Sequence, residues 1–233
     1  MNKSNMRLSR ECKKVKKDFD NQIKKFGKIT DNFVCAPDPE DPLTWYFVVF
    51  GLADDYEGGY YFGKVVCPED YPARPPYIML TMNNGAFEPN EKICLSITDY
   101  HPESWNPAWT VTHIIMGCIS FWMSDEETAG SLYYFDRDDK TYHRHNAAYK
   151  SRETVLANDK FEEVLGFYKP FIGINEVKEV KNFAPLIVEE EEKAKAEKAE
   201  AEKVAAEEAA KKAKEAEEKA VAEAKAKAEE EAK

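Results

Sequence analysis

Apolar positions divide the chain into a helical opening, a block of short strands and a helical second half. Residues 5–26 carry Met6, Val15, Phe19, Ile23 and Phe26 near helical spacing among lysines and arginines, and Gly27 follows at once. That pattern predicts a basic amphipathic helix with a defined stop. Four runs rich in β-branched and aromatic residues come next, at 33–36, 44–50, 60–67 and 77–82. Pro37, Pro39 and Pro42 forbid regular pairing between the first two runs and mark a loop, and Pro68, Pro72, Pro75 and Pro76 stiffen the link between the last two. Four closely spaced strands after one helix indicate an antiparallel meander in an α+β domain. Residues 111–123 are apolar on nearly every face, which predicts a buried central helix and assigns Cys118 to packing. Two more amphipathic patterns cover 136–150 and 158–168. His143 and His145, set among charges on the first, are expected to be exposed and without catalytic work.

Beyond Lys169-Pro170 the character changes. From Glu189 onward only Ala, Glu, Lys and two valines occur. Glu-to-Lys pairs four residues apart recur there, each worth a few tenths of a kcal/mol to a helix, and Ala is the best helix former. A long solvated helix of about 65 Å is the expectation. Val204 and Val221 are too few for a coiled-coil seam. The chain therefore divides into a compact domain at 1–170, a linker at 171–188 and a helical tail at 189–233.

Charge narrows the partners. The net charge is −11, which argues against nucleic acid as the main partner. Residues 1–28 nonetheless hold ten Lys or Arg against three acids, so a basic helix leads an acidic protein, which suits an acidic protein partner. The five cysteines (12, 35, 67, 94 and 118) are odd in number and widely spaced. Neither a disulfide framework nor a zinc site follows from that spacing, and a reducing, cytoplasmic setting is expected, with no metal and no cofactor. No signal core opens the chain, and no run of 18 apolar residues offers a membrane span.

Candidate chemistry concentrates in residues 81–109. Cys94 lies between Ile93 and Leu95, with Asn84 upstream and Trp105-Asn106-Pro107-Ala108-Trp109 downstream. A catalytic cysteine needs an exposed sulfur on a rigid frame with donors near the developing oxyanion. By chemistry alone, a lone cysteine gripped by Ile and Leu is more often a buried structural residue than a nucleophile.

Three ordered motifs bear on that choice: Tyr56-Glu57-Gly58-Gly59-Tyr60-Tyr61, the proline-rich Pro68 to Pro76, and Asn84-Gly85 through Ile93-Cys94-Leu95-Ser96 to Trp109. Together they resemble the ubiquitin-conjugating enzymes, specifically their ER-associated J-type branch, over residues 6–168. The resemblance implies that Cys94 accepts ubiquitin as a thioester from the activating enzyme and transfers it to a substrate lysine, or to Ser and Thr hydroxyls, in protein quality control or ER-associated degradation. It implies an amide role for Asn84, either at the oxyanion or as a loop brace. Asn83 is a rival for that role, because Met82-Asn83 replaces the branch's usual Thr-Pro. Arg7, Arg10, Lys13, Lys14 and Lys17 become candidates for binding the activating enzyme. Ala73, Pro107 and Ala108 become the surface for a RING-type ligase, with Ala73 standing where the family commonly has phenylalanine. The acid that many members place beyond the central helix falls here near Thr128 and Ala129, neither of which titrates usefully. His101, with Asp99, is the proposed substitute, lying beside the thioester to assist the acceptor. The expected location is cytoplasmic, with partners placing the protein at the cytosolic face of the ER. Two rivals stand against this: a catalytically silent ubiquitin-binding scaffold of the same fold, and an unrelated thiol hydrolase.

Overall fold

A computed structural model describes residues 3–175. Helix α1 (Lys3–Phe26) buries Leu8, Val15 and Phe19 along one stripe and stops at Gly27, whose φ of 70° places it in the left-handed region glycine tolerates. Met6 is 43% exposed, contrary to the sequence expectation, because it lies two residues from Leu8 and therefore on the opposite face. Phe26 is also exposed, at the last residue of the helix.

Strands β1 (Phe33–Pro37), β2 (Thr44–Phe50), β3 (Tyr60–Val66) and β4 (Tyr77–Leu80) form one antiparallel sheet in sequence order, as the meander pattern predicts. Cys35 pairs with Phe47, Phe47 with Gly63 and Gly63 with Leu80. A Cβ on Gly63 would lie 2.5 Å from the Phe47 ring and 2.6 Å from the Met79 carbonyl, so glycine is what lets this ring cross the sheet. Trp45, Phe47, Val65, Ile78 and Leu80 are fully buried and join Leu8, Val15 and Phe19 in a single core.

The second half supplies α2 (Val111–Ser124), α3 (Arg137–Leu156), α4 (Asp159–Leu165) and a 3-10 turn at Gly166–Phe171. Asp136 and Asn158 cap α3 and α4 by accepting hydrogen bonds from the amides of Asp139 and Phe161. Helix α2 corrects one expectation. It buries Val111, Ile114, Ile115, Cys118 and Trp122, but Met116 is 55% exposed and Met123 is exposed beside it, so only one face is covered. Burial continues past residue 170 through Ile172 and Ile174. The expected linker at 171–188 lies mostly outside the described residues, and the expected helical tail at 189–233 wholly so.

His143 and His145 are half-buried rather than exposed. His143 stacks on Tyr134 at 5.3 Å, and His145 Nε2 approaches Asp55 at 3.6 Å. Next to them Arg144 lies over the Tyr56 ring and reaches Asp125, which also pairs with Lys140 at 2.7 Å. Lys140 first, then Arg144, holds the Asp125 carboxyl below its ordinary value. A depressed folded-state value adds stability above the unfolded value of about 3.9 and loses it as pH falls through the folded one. Asp125 also ends α2 with φ 62°, which asparagine adopts readily. Asp125→Asn is therefore expected to cost less than about 1 kcal/mol at pH 7, since the Asp125 side chain is itself 57% exposed and the buried Arg144 keeps Asp55 at 3.5 Å. That gap should close as pH drops below about 4. Urea unfolding at pH 7 and pH 3 checks this, and an unchanged gap at both would refute it.

Among the described residues, no helix is long and apolar enough to cross a membrane, and no group of three or more His, Cys, Asp or Glu side chains could hold a metal ion.

Candidate active site

Between Ile93 and Trp109 the backbone forms no regular element except the short 3-10 turn Pro102–Ser104, so side chains must hold it. Thr98 is fully buried, and its hydroxyl donates to the Leu95 carbonyl at 2.8 Å and accepts from the Leu95 amide at 3.1 Å. Ile93 and Leu95, the grip on either side of Cys94, are both buried. From the far side, the Cys94 amide donates to the Ala129 carbonyl at 3.0 Å, and the Thr128 hydroxyl donates to the Cys94 carbonyl at 2.7 Å. The positions where the family's acid would fall thus clamp the cysteine backbone. Gly130 permits this approach: its φ is 93°, and a Cβ there would meet the Lys92 carbonyl at 2.6 Å.

On that frame the Cys94 sulfur is half-buried and lies 3.3 Å from His101 Nε2. The other nitrogen, Nδ1, lies 3.0 Å from Glu103 Oε1. Glu103 takes the place expected of Asp99. Asp99 instead pairs with Lys92 at 2.6 Å, and Lys92 itself sits over the Tyr77 ring. The physical reason is the turn: Ser104 N donates to His101 O at 3.0 Å, folding Glu103 back towards the imidazole. The Glu103 carboxyl is held below its ordinary value by its own backbone amide and by the His101 ring.

Asn84 is fully buried, and the rest of its neighbourhood uses all of its amide. Its Nδ2 donates to the Met82 and Phe87 carbonyls at 3.0 and 2.9 Å, while Oδ1 accepts from the Ala86 and Phe87 amides. Of the two roles open to it, this geometry suits the loop brace; both amide hydrogens are taken. Asn83 is exposed, and its Oδ1 accepts from the Gly85 amide at 3.2 Å.

Burial pushes up Cys35, Cys67 and, to about 12, Cys118, and partial burial does the same to Cys12. A raised thiol supplies little thiolate at neutral pH.

The expected partner surfaces separate by exposure. Arg10, Lys13, Lys14 and Lys17 are exposed along one stripe of α1. Arg7 is not free to join them: its Nε meets Glu11 at 2.5 Å and its Nη2 donates to the Trp109 carbonyl at 3.0 Å. Ala73, Pro107 and Ala108 are all exposed. Trp105 Nε1 donates to the Pro72 carbonyl at 2.8 Å, which brings their two loops together.

Sequence reasoning missed Glu11. It is buried, and besides Arg7 it accepts from the Tyr71 hydroxyl at 3.0 Å and from the Val111 amide, the first of α2, at 2.9 Å. One signal was available: Glu11 falls on the apolar stripe of α1, between Leu8 and Val15.

A family model described as ubiquitin-conjugating enzyme matches residues 7–152, and the chain belongs to that family. It is similar to ubiquitin-conjugating enzyme E2 6 of Kluyveromyces lactis, 36% identical over an alignment of 190 residues that covers 77% of this chain and 72% of that one. It is also similar to an E2 J2-like protein of Dictyostelium discoideum, 40% identical over 54% of this chain and 69% of that one. The human relative named ubiquitin-conjugating enzyme E2 J2 is 39% identical over 57% of this chain, and the match spans 52% of that protein's length. The J-type branch, read from the motifs, is therefore represented by name among the relatives.

Proposed function

We propose that the protein takes ubiquitin from its activating enzyme as a thioester on Cys94 and transfers it to a substrate lysine or to a Ser or Thr hydroxyl. The observation that carries this is the half-buried Cys94 sulfur 3.3 Å from His101 Nε2, on a backbone clamped by Thr98, Thr128 and Ala129. A thioester keeps enough acyl-transfer potential for the site to need mainly positioning, plus a proton acceptor for the incoming nucleophile. His101 serves as that acceptor, and Asn84 holds the loop before the cysteine. Family membership supports ubiquitin, the activating enzyme and a ligase as partners in general. The stripe of Arg10, Lys13, Lys14 and Lys17 would meet the activating enzyme, and Ala73, Pro107 and Ala108 a RING-type ligase. In this reading the compact domain, which still buries Ile172 and Ile174, carries the chemistry, and the expected linker and tail beyond it lie outside the described residues. Work in protein quality control at the cytosolic face of the ER rests on the J-type resemblance.

The test is a charging reaction with activating enzyme, ubiquitin and ATP, read on a non-reducing gel. A ubiquitin adduct that thiol reductant removes supports the proposal. No adduct, while the activating enzyme itself is charged, would overturn it in favour of the silent scaffold.

A second expectation concerns the ligase. Ala73 is exposed at the joined loops, where a phenylalanine could supply a hot-spot contact worth about 2 kcal/mol. Ala73→Phe is expected to increase ligase-stimulated discharge with a common RING ligase by about tenfold or more. No gain in a single-turnover assay would count against this surface.

A further inference from the structure

We propose that Glu103 is a positioning residue for His101, fixing the imidazole in the tautomer whose Nε2 lone pair faces the Cys94 sulfur. This deepens the reading of Cys94 and His101 given above and rests on it. Three groups are in contact in sequence: Cys94 Sγ, 3.3 Å from His101 Nε2, and His101 Nδ1, 3.0 Å from Glu103 Oε1. An ionised carboxylate can only accept, so the hydrogen on that bond must sit on Nδ1. A neutral imidazole with its proton on Nδ1 has a bare Nε2. The low setting of the Glu103 carboxyl agrees with its being ionised at neutral pH.

The backbone makes this arrangement specific to residue 103. His101 N donates to the Thr98 carbonyl at 3.1 Å, which ties the histidine to the buried anchor of the cysteine loop. Pro102 then starts the 3-10 turn that brings Glu103 back over the ring. The other nearby acid, Asp99, is committed to Lys92.

The transfer step then balances as follows. The acceptor's hydroxyl oxygen, or its amine nitrogen, attacks the thioester carbonyl carbon, and its proton passes to Nε2. As the tetrahedral intermediate collapses the C–S bond breaks, and the departing sulfur recovers the proton from Nε2. The products are an ester or amide and the free Cys94 thiol, with the imidazole back in its starting tautomer. Glu103 donates nothing and accepts nothing new; it holds Nδ1–H throughout.

The experiment isolates the charged enzyme, normalises to the amount charged, and follows single-turnover discharge to free serine and to lysine. Four forms are compared: wild type, Glu103→Ala, Glu103→Gln and Glu103→Lys. Alanine should slow discharge to serine by about tenfold, a fraction of what a positioned acid–base group contributes. Glutamine, whose amide oxygen still accepts from Nδ1–H, should stay within about threefold of wild type. Lysine can only donate, and should fall at least as far as alanine. In a His101→Ala background, Glu103→Ala should add no further loss, since the two act as one unit. The ring nitrogen resonances of His101, read by NMR in the uncharged protein, should show Nε2 bare in wild type and protonated in Glu103→Lys.

Equal discharge by wild type and Glu103→Ala would overturn the proposal. So would an Nε2–H tautomer in the wild-type protein. A failure to charge in every form would instead strike the reading of Cys94, and the resonance measurement would still decide the tautomer.

Discussion

Cys94→Ala is expected to abolish the ubiquitin adduct completely, and Cys94→Ser to leave at most a slow oxygen ester that thiol reductant does not remove. The argument is one of exclusion as well as geometry. Nucleophilic attack on the activating enzyme's thioester needs a thiolate with access to the acyl carbon. Cys35, Cys67 and Cys118 are buried, and burial pushes each of their thiols up. Cys12 is half-buried on α1 and is also pushed up. Cys94 alone has a histidine nitrogen within 3.3 Å. Nothing else among the described thiols can take its place, so the loss should be total rather than graded. Cys12→Ser should charge to the same extent as wild type. A reductant-labile adduct surviving in Cys94→Ala would transfer the nucleophile to another residue and remove the basis of the reading.

What could be read from the sequence follows the range of the interactions concerned. Strand positions 44–50 and, to within one residue, 60–67 and the stop at Gly27 came from local rules, β-branched and aromatic runs for the strands and glycine after a helix, and the structure has them there. Helix α2 was also found, but hydropathy alone could not tell that Met116 and Met123 face outward, because an apolar side chain does not report whether anything covers it. In the site, Cys94 and His101 were legible from motif and spacing, and the structure puts them side by side. The choice of Asp99 as the histidine's companion failed because sequence distance does not say where a side chain reaches in an irregular loop; the turn after Pro102 selected Glu103. The hold of Asn84 on its loop is visible only when its four hydrogen bonds are seen together, because no spacing rule gives them. Glu11 was the hardest to see, since its partners Tyr71 and Val111 are 60 and 100 positions away and no periodicity spans that separation.

That same remoteness makes Glu11 the position where a single change should cost most stability. Its carboxylate is 6% exposed and joins three parts of the fold: Arg7 on its own helix, Tyr71 at the proline-rich loop, and the first amide of α2. A carboxylate at a helix N-terminus also meets the positive end of the helix dipole. Burial and the nearby Glu11 charge together push the Tyr71 hydroxyl up, so it stays protonated and able to donate. Alanine at position 11 leaves the buried first amide of α2 without its acceptor and the half-buried Arg7 without its counter-charge, and it leaves the Tyr71 hydroxyl only its longer bond to the Trp109 carbonyl at 3.3 Å. Each orphaned donor costs about 1–3 kcal/mol, and removing one partner of a buried ion pair typically costs about 3–5 kcal/mol in all. Glu11→Ala is therefore expected to lose about 3–5 kcal/mol, equivalent to roughly 10 °C or more in Tm for a domain of this size. Glu11→Gln should lose less, because its amide oxygen can still accept one of the three bonds. The exposed neighbour Lys13, changed to alanine, should move stability by no more than about 0.5 kcal/mol. Urea and thermal unfolding of the three variants decide the matter: a loss below about 1 kcal/mol in Glu11→Ala would mean that water or a shifted side chain replaces the carboxylate, and that the three elements are held together by their apolar packing alone.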